Sequence, residues 1–140
     1  MYANGLDRHA YFVVYIRGHE MKLNPEKDID IDVNNLSKEF RTIGPKIYRY
    51  TKEKASLQEE MDMLEIDLKV AKSKAYGKLG SDYKETEKKH EIELDKDVIS
   101  IQKSIAEVRR DIETVRGYID GLKANKDMLV QLGADQRKEY

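Results

Sequence analysis

Residues 96–129 read KDVISIQKSIAEVRRDIETVRGYIDGLKANKDML, and the fold turns on their spacing. Val98, Ile101, Ile105, Val108, Ile112, Val115, Ile119, Leu122 and Leu129 recur at alternating steps of three and four residues; Leu94 extends the stripe upstream and Lys126 interrupts it. A repeat averaging about 3.5 residues keeps a narrow apolar seam turned toward a partner helix. Leu36, Phe40, Ile43, Ile47, Tyr50, Leu57, Met61, Leu64, Leu68, Ala71 and Ala75 form a second stripe of the same rhythm, with Lys54 as its polar step. The pattern predicts an all-α protein whose two long heptad-patterned helices form an elongated hairpin. Ile66, Val70, Ile92, Ile99 and Val130 lie off the seams. They point to assembly into a homo-oligomeric helical bundle or ring.

Composition agrees with elongated packing rather than a thick globular core: 140 residues, 38% charged and 8% aromatic. With 26 Lys and Arg against 27 Asp and Glu, the net charge is −1. Any polyanion site is therefore a local patch. The lack of cysteine excludes disulfides and thiolate chemistry and suits a cytoplasmic setting. No run approaches the roughly 20 apolar residues that span a bilayer.

Residues 1–20 contain one apolar run, Ala10 to Ile16, without the cleavage site of a signal peptide. Arg17-Gly18 is encodable by the purine-rich AGAGGA just upstream of the Met21 codon, so residues 1–20 are read as an upstream or disordered extension and Met21 as the start of translation. Residues 21–35 read as an acidic extended segment, with Asp28, Asp30 and Asp32 alternating with Ile29, Ile31 and Val33. Asn34 or Asn35 then caps a first long helix spanning 36–80, kinked at Gly44-Pro45. Gly77-Lys78-Leu79-Gly80 ends that helix, and Asp82 with Glu85 resembles a capping box. Residues 81–95 form a charged connector whose weak periodicity suits an exposed helix, and residues 96–140 hold the C-terminal helix, reaching about Met128.

Catalytic chemistry finds no foothold. Asp28, Asp30, Asp32 and Glu39 match the carboxylate spacing of a calcium loop, but Val33 stands where glycine is required. Gly77 to Ser81 lacks the phosphate-loop spacing, and His9, His19 and His90 are scattered. No enzyme activity, cofactor or metal is expected. Two basic clusters are more informative. Lys46, Arg49 and Lys52 interleave with Tyr48 and Tyr50, and Lys69, Lys72, Lys74 and Lys78 surround Tyr76 with no intervening acid. Cations neutralise phosphates and aromatic faces stack on bases, the mixture that sequence-tolerant single-strand binding uses. The plainer reading is a lysine-rich solvated helix end that complements the helix dipole. Gly117 and Gly121 sit inside the C-terminal helix, where close approach of another helix would compensate their low helix propensity.

From Asp28 to Tyr140 the chain resembles the UvsY-type recombination mediators of tailed phages. The resemblance is carried by Asp30-Ile31-Asp32-Val33-Asn34-Asn35-Leu36, by the Glu60 to Lys74 helix ending in lysines, by Tyr76-Gly77-Lys78, and by Asp95-Lys96-Asp97-Val98-Ile99. It implies a non-enzymatic factor of the host cytoplasm that binds single-stranded DNA and self-associates. It also implies help in loading a RecA-like recombinase in place of single-strand-binding protein during recombination, repair and replication. By the same resemblance Lys69, Lys72 and Lys74 bind DNA and the Val98 to Leu129 stripe supports oligomerisation. The alternative is a structural or chaperone-like coiled coil, scaffolding or prefoldin-like, without DNA binding.

Overall fold

The computed structural model describes residues 12–16 and 19–138, with side chains from Leu23 onward. Strands β1 (Phe12–Ile16) and β2 (His19–Leu23) pair antiparallel, Phe12 opposite Leu23 and Ile16 opposite His19. Everything else that is regular is helical: α1 (Pro25–Ile29), α2 (Leu36–Gly77), α3 (Glu85–Glu93) and α4 (Lys96–Lys138). β1 and the start of β2 fall in the stretch 1–20 read as an extension, and β2 continues to Leu23 in the segment read as extended; residues 1–11, 17 and 18 lie outside the described residues.

Local chemistry explains the helix starts. The Lys27 N–H donates to Asn24 Oδ1 at 3.2 Å and Pro25 takes a first-turn position, so residues 25–29 coil rather than extend. The acidic alternation masks this capping signal in the sequence. Asn35 Oδ1 accepts from the Lys38 N–H at 3.4 Å at the head of α2. Asp95 Oδ1 accepts from Asp97 and Val98 N–H at 2.9 and 3.1 Å at the head of α4. The head of α3 is Lys84, whose N–H donates to the Glu87 carboxylate at 3.2 Å; Asp82 and Glu85 do not form the expected box. Pro45 lies inside α2, 42 residues long, where it costs one backbone donor. The last helix, at 43 residues, extends ten residues beyond Met128 to Lys138.

The chain divides into two compact units, the first formed by the N-terminal part through Ser56 with the chain from Ile112 onward, the second by Leu57–Asp111. In the first, Leu23, Ile43, Tyr50, Ile112, Val115, Ile119, Leu122 and Leu129 are buried. The Tyr50 ring meets Tyr118 edge-on at 6.1 Å, and Phe40 lies over Gly133. Early α2 thus pairs with late α4, antiparallel. The segment α1 is clasped onto this pair: the Ile29 carbonyl accepts from Asn125 Nδ2 at 2.7 Å, and Asp28 accepts from the Tyr50 hydroxyl at 2.6 Å.

In the second unit Leu57, Met61, Ala75, Val98, Ile105 and Val108 are buried and Ile101 is half-buried. The stripe expected to carry contacts between subunits, Val98, Ile101, Ile105, Val108, Ile112, Val115, Ile119, Leu122 and Leu129, is thus largely covered within one chain. A heptad seam specifies a partner helix without saying whose, and here the same chain supplies it. Leu94 departs from the seam, 56% exposed at the end of α3.

Candidate nucleic-acid interface

A helix advances by about 100° per residue, so lysines adjacent in sequence need not share a surface. Lys69, Lys72 and Tyr76 follow the three-then-four spacing of one face of α2, whereas Lys74 and Lys78 lie on another. All four lysines are exposed. Lys74 and Lys78 line an open groove of about 340 Å³ together with Asp67, Asp95 and Asp97. Three carboxylates beside two ammonium groups leave that groove without a cationic excess. Lys69 and Lys72 lie outside that groove, on a face that carries Glu65 one turn before Lys69.

Tyr76 is half exposed at the end of α2, and α3 supplies its surroundings. The Tyr76 hydroxyl donates to Glu85 Oε1 at 3.3 Å, and Lys88 Nζ stands 4.8 Å from the ring centroid. Lys88 is also 3.6 Å from Glu85 Oε1. Neither basic cluster of the sequence includes Lys88. Its signal is the spacing from Glu85 to Lys88 after a break long enough to turn back.

The other basic cluster is largely committed to structure. Tyr50, expected from the sequence to stack on bases, is fully buried, which removes its ring from any ligand. Burial first, then the hydrogen bond from its hydroxyl and the negative charge of Asp28, hold that hydroxyl far above its ordinary pKa. Arg49 Nη2 pairs with Asp28 Oδ2 at 3.0 Å. Lys46 Nζ donates to the Asp28 carbonyl at 3.2 Å and stands 4.0 Å from Glu39. Tyr48 and Lys52 remain exposed, four residues apart on one face.

Burial pushes three carboxyl groups above the usual carboxylate range. They are Glu53, Glu60, which the nearby Asp111 charge raises further, and Asp111 itself, also raised by Glu107. Glu53 Oε2 and Glu60 Oε2 have no hydrogen-bond partner among the described residues. No group of three or more His, Asp or Glu placed to hold a metal occurs among the described residues. None of the described helices is long and apolar enough to cross a membrane.

No protein-family model matches the chain. No curated protein matches it either. Its fold is similar to crystal structures of the bacteriophage T4 recombination mediator protein UvsY. In lattice type IV the TM-score is 0.74 at 22% identity, over 83% of this chain and 93% of that one. In lattice type I it is 0.71 at 21% identity, over 83% and 96%. In lattice type II it is 0.70 at 22% identity, over 82% and 91%. TM-scores of 0.70 to 0.74 over more than four-fifths of the chain show a UvsY-like fold.

Proposed function

We propose that this chain is a recombination mediator: a non-enzymatic accessory factor that binds single-stranded DNA and helps a RecA-like recombinase replace single-strand-binding protein. The observation that carries the proposal is the exposed face of α2 bearing Lys69, Lys72 and Tyr76 beside Lys88, on the fold of a phage recombination mediator. Lysines neutralise phosphates and an exposed ring offers a stacking face, which together bind single strands without reading sequence. A protomer of net charge −1 gains affinity by self-association, since each copy repeats the same patch and weak contacts then act at high effective concentration. The off-seam apolar face of α2, where Met63, Ile66 and Val70 are exposed at helical spacing, supports that self-association.

Fluorescence anisotropy with a labelled single-stranded oligonucleotide across a salt series tests this function. Lys69→Ala with Lys72→Ala weakens binding and flattens the salt slope by about 0.7 for each phosphate no longer neutralised. Lys74→Ala with Lys78→Ala, on the acid-balanced groove, changes it little. Absence of binding by the unaltered chain would overturn the proposal in favour of a scaffold. Equal weakening in the two double variants would overturn the placement on the Lys69 face.

A further inference from the structure

The surroundings of Tyr76 are more organised than a stacking residue requires. The Lys88 side chain is only 14% exposed. A surface lysine ordinarily keeps its ammonium in water, but here it is drawn across the face of Tyr76, 4.8 Å from the ring centroid. Glu85 completes a closed triangle. Its Oε1 accepts from the Tyr76 hydroxyl at 3.3 Å and stands 3.6 Å from Lys88 Nζ. The cation therefore occupies the π surface on its side of the ring, and the carboxylate fastens both partners.

Two sides of that triangle are weak, because Glu85 is 71% exposed and water screens both its ion pair and its hydrogen bond from the Tyr76 hydroxyl; the cation–π contact of the more covered Lys88 is the strongest side. Stacking of a nucleic-acid base on an aromatic ring is of comparable or greater strength. We infer that α3 is a displaceable cap on a base-stacking platform, where a base of single-stranded DNA takes the Tyr76 face from Lys88 and the released ammonium moves to the adjoining phosphate. This rests on the single-strand-binding function proposed above and adds its selectivity.

The exchange conserves charge pairing for Lys88, which gives up a carboxylate and gains a phosphate. Glu85 is left facing an anionic backbone, so its repulsion sets a threshold that only a stacking ligand crosses. Duplex DNA hides its base faces in its own stack. It offers phosphates alone and leaves the cap shut. Lys69 and Lys72, two turns and one turn before Tyr76 on the same face, guide the backbone toward the ring.

Tyr76→Trp gives the chain its single tryptophan, since the sequence has none. Titration with oligo(dT) is expected to quench its fluorescence, and a duplex of equal length to leave it unchanged. Tyr76→Ala is expected to weaken single-strand binding about 5- to 100-fold, the range for one stacked base. Glu85→Gln, with the latch loosened, is expected to tighten it about 2- to 5-fold. Tyr76→Phe, which keeps the ring and removes the hydroxyl, binds at least as tightly as the unaltered chain. Single-strand binding by the Trp variant without quenching, or undiminished affinity in Tyr76→Ala, would overturn the cap while leaving the mediator function standing. No binding by the unaltered chain would overturn both.

Discussion

Three glycines of α4 form an internal series for measuring what surrounds that helix. A Cβ built on Gly117 meets nothing within 4 Å among the described residues; on Gly121 it meets Ile29 Cδ1 at 3.6 Å; on Gly133 it meets the Phe40 ring at 3.3 and 3.4 Å. Alanine is favoured over glycine in a helix interior by about 1 kcal/mol, chiefly because the unfolded chain loses less freedom. Gly117→Ala shows that gain in full. Unfolding entropy of about 2.1 cal/mol/K per residue turns it into a rise of roughly 3–4 °C in Tm for a chain of this length. Gly121→Ala adds ordinary contact with Ile29 and gains at least as much. At Gly133 the Phe40 ring must give by a few tenths of an ångström, which offsets most of the gain. Thermal unfolding followed by circular dichroism at two protein concentrations reads the order. Destabilisation by Gly117→Ala, growing as the protein is diluted, would refute the open surface and show that a second chain packs on Gly117.

Other perturbations address the clasp, the acids and the seam. Asp28→Ala strands the buried Tyr50 hydroxyl without its 2.6 Å acceptor and costs about 2–3 kcal/mol in urea unfolding, whereas Tyr50→Phe removes donor and need together and costs less. The reverse order would show that the hydroxyl has another partner. Because burial and Asp111 raise the folded-state pKa of Glu60, the native state holds that proton more tightly than the unfolded chain. Its contribution is therefore most favourable at low pH and declines as pH rises from the ordinary carboxylate range through the raised value. Glu60→Gln then stabilises more at pH 7 than at pH 4 in urea unfolding; a gain independent of pH would refute the ionisation argument. Ile112→Asp, placing a charge where the side chain is 5% exposed, unfolds the protomer at a cost of about 4 kcal/mol or more. A folded species of lower mass in light scattering would instead return that stripe to an interface between chains.

Periodicity carries much of the architecture, because a spacing that averages 3.5 residues survives any uncertainty about helix ends. Ile43, Tyr50, Leu57, Met61, Val98, Ile105, Val108, Val115 and Leu122 are buried as their spacing predicts. Near Lys54 the stripe reads differently in three dimensions, for Glu53 is 1% exposed while Lys54 is half-buried. An α-helix of 3.6 residues per turn drifts against a strict heptad, and flanking positions slide under cover. Asn24-Pro25 is a legible capping signal that the alternating acids outweigh. The lysine run illustrates a different limit. Four cations without an intervening acid look like one patch along the chain, yet helical rotation separates Lys69 and Lys72 from Lys74 and Lys78, and Asp95 and Asp97 arrive from a distant segment. Lys88 over Tyr76 depends on how the chain turns between Gly77 and Lys84, which no spacing rule specifies.

The clasp of α1 also bears on the order in which the molecule is made. Its bond from Asn125 to the Ile29 carbonyl joins residues 96 apart in sequence, across the pair that Phe40 with Gly133 and Tyr50 with Tyr118 already bring together. Pairing α2 with α4 closes the long loop first, and the clasp forms only afterwards, since Tyr50 and Asn125 offer no joint surface before then. The clasp is therefore a late element with little influence on the folding barrier. Its full strength falls on the unfolding rate, so residues 24–29 act as a timer on how long the paired helices stay closed.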